Sequence, residues 1–166
     1  LYDMGLLKFD EPFLRLLNQG MVLKNGMKMS KSKGNTIDPR EIIKKHGVDV
    51  LRTYLMSMAA PERDVEWSDR DMQGIVKLLN KIESIYEILD KKHNKQTYIR
   101  SITQEVIKNV TESMRNLELN KVIQEISRLT NEITIYPDKE CYKKLLLLLT
   151  PFAPHMSEEL WEKLDE

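Results

Sequence analysis

From Met72 to Leu164 the apolar residues step along the chain by three and four, a spacing that only packed helices can bury. Met72, Ile75, Leu79, Ile82, Tyr86 and Leu89 form one stripe. Ile99, Ile102, Val106, Val110 and Leu117 form a second, and Leu119, Val122, Ile126, Leu129 and Ile133 a third, with Asn120 a candidate cap between them. Tyr136-Pro137 stops that third helix, Cys141 to Leu149 makes a fourth, and after the Pro151–Pro154 break Met156, Leu160, Trp161 and Leu164 begin a fifth. Helices joined by short connections predict an antiparallel bundle over 68–166. On this pattern Trp161 and the Leu145–Leu149 run belong to the core.

Residues 1–67 are of a different kind. Asn25-Gly26 between two short apolar stretches predicts a hairpin, because both turn positions need positive φ. A polar loop, Lys31-Ser32-Lys33-Gly34-Asn35, follows it. Asp38-Pro39-Arg40-Glu41 carries three helix-start signals: a cap, a proline for the first position, and a glutamate able to reach back. That helix stops near Gly47, Asp49 caps a second one to about Met58, and Pro61 to Ser68 reads as a linker. Ser68 or Asp69 caps the next helix.

The chain has 26 Lys+Arg and 26 Asp+Glu in 166 residues, so bulk charge points to neither nucleic acid nor membrane. The zero is an average: Gly20 to Val48 holds seven basic against two acidic side chains. One cysteine, Cys141, excludes an intrachain disulfide, and His46, His93 and His155 lie too far apart in sequence for a local zinc motif. The longest apolar run, Leu145–Leu149, is far short of the roughly 20 residues of a membrane span.

The residues richest in chemistry are Lys28-Met29-Ser30-Lys31-Ser32, then Lys33-Gly34-Asn35. Gly26 and Gly34 are followed by no Gly-Lys-Ser/Thr, so this is not a P-loop. Two lysines three apart on a short loop, with hydroxyls and free N–H groups beside them, suit phosphates that gain charge in a transition state. Glycine and asparagine behind them suit a hinge. Most Lys/Ser runs are merely solvated loops. This one, however, is the KMSKS signature of class I aminoacyl-tRNA synthetases, matched at every letter.

The flanks resemble the bacterial leucyl branch of that family. Gln19-Gly20-Met21-Val22-Leu23 precedes the loop, and Asn35-Thr36-Ile37-Asp38-Pro39 and Gly47-Val48-Asp49 follow it. Ala60-Pro61-Glu62-Arg63-Asp64-Val65-Glu66-Trp67-Ser68-Asp69 is the most discriminating stretch. Thr150-Pro151-Phe152-Ala153-Pro154-His155 and Glu158-Glu159-Leu160-Trp161 are shared with valyl and isoleucyl enzymes. The resemblance implies a mainly α chain: the C-terminal end of a Rossmann-type catalytic domain with its KMSKS loop and stem-contact region (1–67), then an anticodon-binding helical bundle (68–166).

It further implies a part of leucine–tRNA ligase, acting on ATP with Mg2+, leucine and tRNA(Leu) in the cytoplasm, as a monomer and with no metal held by these residues. Lys31 is the first candidate for the catalytic phosphate contact and Lys28 the second, with Met29, Ser30 and Ser32 completing the ATP site. The family's HIGH motif and its editing insertion are not in these residues. The opening at Leu1 without methionine and the close at Glu166 inside a helical pattern suggest an excised piece, expected to form no leucyl-adenylate alone. The alternatives are a stand-alone helical RNA-binding or adaptor protein, and a piece of a valyl or isoleucyl enzyme.

The bundle's charge argues little for RNA: residues 68–166 hold 15 basic and 17 acidic side chains. Lys91, Lys92 and Lys95 around His93 form one basic cluster, a candidate tRNA contact or else a solvated helix C-terminus. Trp67 is expected to seal the junction between the two parts, and His155 to be a structural hydrogen-bonding group.

Overall fold

In a computed structural model, which describes residues 1–11, 13 and 15–165, Asn25 and Gly26 turn the chain back on itself with φ of 55° and 70°. Glu166, at the close of the expected last helix, lies outside the described residues. The turn joins β1 (Val22–Lys24) to β2 (Met27–Lys28), pairing Lys24 with Met27 and Leu23 with Lys28. A two-residue primed turn matches the twist of its strands, so the hairpin forms where expected.

The stretch expected to be a linker contains β3 (Val65–Glu66), which pairs parallel to β1 with Val22 opposite Val65 and Leu23 opposite Glu66. Two residues are too few to show a strand's alternation, and β3 exists only because β1 offers a free edge. Gly20 makes this approach possible. A Cβ there would collide with the backbone carbonyl of Arg63.

Helix α1 (Pro39–His46) starts at Asp38, whose side chain accepts the N–H of Arg40, and ends at Gly47 with φ of 86°. Arg40 rather than Glu41 closes on the cap, its guanidinium meeting Asp38 at 2.9 Å. Helix α2 (Val48–Ser57) has Gly47, not Asp49, at its cap position. Asp49 sits inside the first turn and is buried, with its carboxylate engaged elsewhere.

The bundle comprises α3 (Asp69–Ile85), α4 (Gln96–Arg115), α5 (Leu119–Ile135), α6 (Lys139–Leu149) and α7 (Pro154–Asp165). Ser68 caps α3 through the N–H of Asp71. The first stripe does not run to Leu89 as one helix; it tightens at Tyr86–Ile88 into a 3-10 turn that leaves Tyr86 exposed. Asn120 is not a cap. Leu117 takes φ of 58° and the Glu118 N–H returns to Ser113, so α4 is closed by backbone and α5 begins at Leu119 with no side-chain cap.

Helix α4 lies along α5, α5 against α6, and α6 against α7, while α2 crosses both α3 and α5. Ile82, Ile85, Ile99, Val106, Ile126, Leu129, Leu145 and Leu149 are fully buried, and Val50 and Tyr54 of α2 join the same core. Not all of the leucine run is core: Leu147 is 59% exposed, since five consecutive helical residues cannot share one face. Trp161 is at the rim rather than inside, with the Lys143 ammonium 5.4 Å from its ring centroid. Cys141 is buried, and burial pushes its thiol pKa up.

Candidate functional site: the lysine loop and its supports

The loop expected to carry chemistry leaves β2 at Lys28, extends through Ser30, and winds into a 3-10 turn at Lys31–Lys33. Gly34 then takes φ of 64° and donates its N–H to the Lys31 carbonyl at 3.1 Å, reversing the chain. Ser30 and Ser32 hydroxyls lie 2.8 Å apart. Asn35 spans the base. Its Oδ1 accepts the Ser30 N–H at 2.8 Å and its Nδ2 donates to the Lys28 carbonyl at 3.2 Å. Asn35, expected as half of a hinge, braces the loop, a role that sequence reading missed.

Lys28, Lys31 and Lys33 are exposed, and none of their ammonium groups makes an ion pair among the described residues. Nearby Arg40 is different: its hydrogen bonds hold the Asp38 carboxyl below the usual range, so its charge is already occupied. The loop therefore carries free cations, two hydroxyls and a reversed backbone directly after a short hairpin. Those donors fit an anion of several charges, as a polyphosphate is.

The hairpin is tied to the rest of the chain through β3. Val65 donates to Met21, Trp67 to Leu23, and Gly20 to Pro61. The Trp67 ring meets Tyr54 of α2 edge-on at 5.1 Å, and its Nε1 donates to Asp69 at 3.0 Å. Trp67 thus packs between α2 and the start of α3. The Tyr54 hydroxyl accepts the Ser68 N–H at 2.8 Å, so the start of α3 and the sheet share one anchor.

Lys91, Lys92 and Lys95 are exposed in the connection between α3 and α4, at the other end of α3 from the loop. Helix α3, 17 residues and so roughly 25 Å long, runs from Ser68, where the sheet is anchored, towards this cluster. Lys95 occupies the cap position of α4, where the helix dipole does not favour a cation, so the helix-C-terminus reading does not hold for it. His93 faces inward: it accepts the Lys95 N–H at Nδ1 and meets the Pro137 carbonyl through Nε2 at 2.8 Å. That pair of bonds assigns the proton to Nε2. The Tyr136 ring lies tilted against the His93 ring and meets Tyr98 edge to face.

His155 is the structural group expected, with Nδ1 2.9 Å from Asp49 Oδ1. Among the described residues no three His, Cys, Asp or Glu side chains converge as metal ligands would, and no helix is long and apolar enough to cross a membrane.

A braced lysine loop on a small sheet, followed through α2 by a helical bundle, is the arrangement of class I tRNA synthetases. The family model of class I tRNA synthetases (I, L, M and V) matches residues 4–68, and that of the anticodon-binding domain of tRNA ligase matches 96–166. The chain belongs to this family, and within it to the relatives of leucine–tRNA ligase. It is 40% identical to the leucine–tRNA ligase of Thermosipho melanesiensis over 99% of its length, and 38% identical to that of Petrotoga mobilis over 98%. It spans 23% of the length of each of those relatives. Among solved structures it superposes on a leucyl-tRNA synthetase of Agrobacterium radiobacter K84, in a ternary complex with tRNA and LeuAMS, with TM-score 0.86 and 31% identity over 97% of this chain and 24% of that one. Mycobacterium tuberculosis methionyl-tRNA synthetase shares the fold, with TM-score 0.72 at 16% identity, over 86% of this chain and 36% of that one.

Proposed function

We propose that the chain serves ATP-dependent attachment of leucine to tRNA(Leu), with residues 1–67 supplying the phosphate loop and stem-contact region and 68–166 the bundle along which the tRNA docks. The observation that carries this is the braced loop with its unpaired lysines, on a chain homologous to leucine–tRNA ligases throughout. Lys31, at the head of the 3-10 turn, is the first phosphate contact and Lys28 the second. Met29, Ser30 and Ser32 complete the loop's share of the ATP site, and Mg2+ arrives with the nucleotide.

Leucine activation moves negative charge onto the α-phosphate and the departing pyrophosphate, and fixed cations there lower the barrier more than they tighten ground-state binding. Lys91, Lys92 and Lys95 are proposed as backbone contacts for the tRNA. The setting is the cytoplasm, and the working unit a monomer.

In a full-length ligase carrying this sequence, Lys31→Ala should lower the ATP–pyrophosphate exchange rate by about a hundredfold while leucine KM moves far less. Equal losses in both would argue against a transition-state role. The 166-residue chain alone should show no exchange, and measurable exchange would overturn the division of labour proposed here.

A further inference from the structure

Gly47-Val48-Asp49 and Pro151 to His155 lie about a hundred residues apart, yet the fold joins them. Asp49 Oδ2 accepts the N–H of Met156 at 2.8 Å and Oδ1 lies 2.9 Å from His155 Nδ1, across sequence separations of 107 and 106 residues. One turn further along α2, Arg52 donates from Nη2 to the Pro151 carbonyl at 3.0 Å and from Nε to the Phe152 carbonyl at 3.3 Å. Asp49 thus caps α7 from another helix, where the dipole favours its charge, while Arg52 satisfies two carbonyls of the corner that joins α6 to α7.

We propose that Asp49 and Arg52 are positioning residues: they latch α2 to the corner between α6 and α7 and so set where the Lys28–Lys33 loop stands relative to the bundle. This deepens the reading given under Proposed function and rests on it for its purpose, since an RNA held along the bundle must meet the loop at a fixed distance.

Helix α2 is the hub of that connection. Its Tyr54 holds Trp67 and Ser68, and through them β3, β1 and the hairpin. Its N-terminus follows α1 and the loop directly. The loop is therefore referred to α2 from both of its ends. Val50 and Tyr54 bury α2 against the core, and apolar contact of that kind is non-directional. Hydrogen bonds to two charged side chains add what burial lacks, a single rotation and slide of α2 on the bundle.

The test is a distance measured by pulsed electron paramagnetic resonance between nitroxides at Lys33→Cys and Lys108→Cys of this chain, exposed positions on the loop and on α4. Cys141 is buried and stays unlabelled. Asp49→Ala and Arg52→Gln should each shift the distance peak or broaden it about twofold, with helical circular dichroism and a cooperative melt retained. Arg52→Lys, which can keep one carbonyl bond, should recover part of the width. Removing a buried carboxylate can unfold the corner, and the exposed Arg52 then decides the matter.

An unchanged distribution in folded Arg52→Gln overturns the latch, even if its melting point falls, because a purely stabilising contact lowers the melt without moving the loop. That failure would leave the ligase reading intact, just as an inert Lys31→Ala would leave the latch.

Discussion

Asn35 Oδ1 accepts the Ser30 N–H at 2.8 Å while its Nδ2 donates to the Lys28 carbonyl at 3.2 Å, so one side chain closes the base of the loop over five and seven residues. Each such neutral bond contributes on the order of 1 kcal/mol net. Asn35→Ala should therefore open the loop locally, with Ser30 amide exchange about tenfold faster by NMR and the bundle's amides unchanged. A Ser30 amide exchanging at its original rate would show that the turn holds itself.

Gly20→Ala should separate β1 from β3, because a Cβ at Gly20 lands on the Arg63 carbonyl and both neighbours are backbone. Overpacking of that kind costs about 1–3 kcal/mol. Trp67, read in a Trp161→Phe background, should shift its emission to the red as Tyr54 and Trp67 part, while helical circular dichroism persists. Unchanged emission would mean the strand pair absorbs the methyl group.

Tyr142 is fully buried, its hydroxyl donates to the Ile82 carbonyl at 2.9 Å, and burial pushes its pKa well up. A raised folded pKa gives stability that is complete below the unfolded value of about 10 and is lost as pH rises past it. The urea midpoint should therefore fall between pH 8 and pH 11 in the parent chain, and fall less in Tyr142→Phe. The variant itself should lose about 1 kcal/mol at pH 8. Equal falls in both chains would place the alkaline weakness elsewhere.

Asp138 caps α6 by accepting the Cys141 N–H at 3.0 Å, and the Arg100 guanidinium meets its carboxylate at 3.1 Å. Burial pushes this carboxyl up, but the bonds from Cys141 and Arg100 outweigh it, and the pKa lies below the ordinary 3.8. A depressed folded pKa gives stability that is present above the unfolded value and lost as pH falls through the folded one. Asp138→Asn should keep most of the cap and lose that dependence, its urea midpoint staying flat from pH 5 to pH 3 where the parent's drops. Arg100 is 59% exposed, so screening keeps the charge contribution small, about 0.5–1 kcal/mol at neutral pH. A parent and a variant declining together in acid would exclude Asp138 as the source.

How much was legible in the sequence follows the range of each signal. The stripes at three and four, the caps at Asp38 and Ser68, the stops at Gly47 and Pro137, and the Asn25-Gly26 hairpin all act within a few residues, and apart from the ends of the first two stripes each stands where the pattern put it. The KMSKS loop was equally legible, since its lysines, hydroxyls and glycine are contiguous. The brace at Asn35 was missed because a hinge and a brace use the same residue type.

The misses are interactions whose partner lies far along the chain. Strand β3 depends on an edge offered some forty residues earlier, so nothing in Val65-Glu66 marks it. Asp49 looks like a local cap because aspartate just ahead of a helical run so often is, yet its carboxylate serves α7 across 107 residues. Leu147 carries the same side chain as its buried neighbours, and only the direction of approach of the other helices leaves it outside.

By itself the sequence determined that helices follow one another from Asp69 onward, that a hairpin presents a lysine loop, and which family's chemistry that loop resembles. Local propensity and contiguous chemistry need no partner. Only the tertiary structure decided that α2 is the hub between loop and bundle, because that depends on which surfaces meet after the helices have formed, and no period in the chain encodes the meeting.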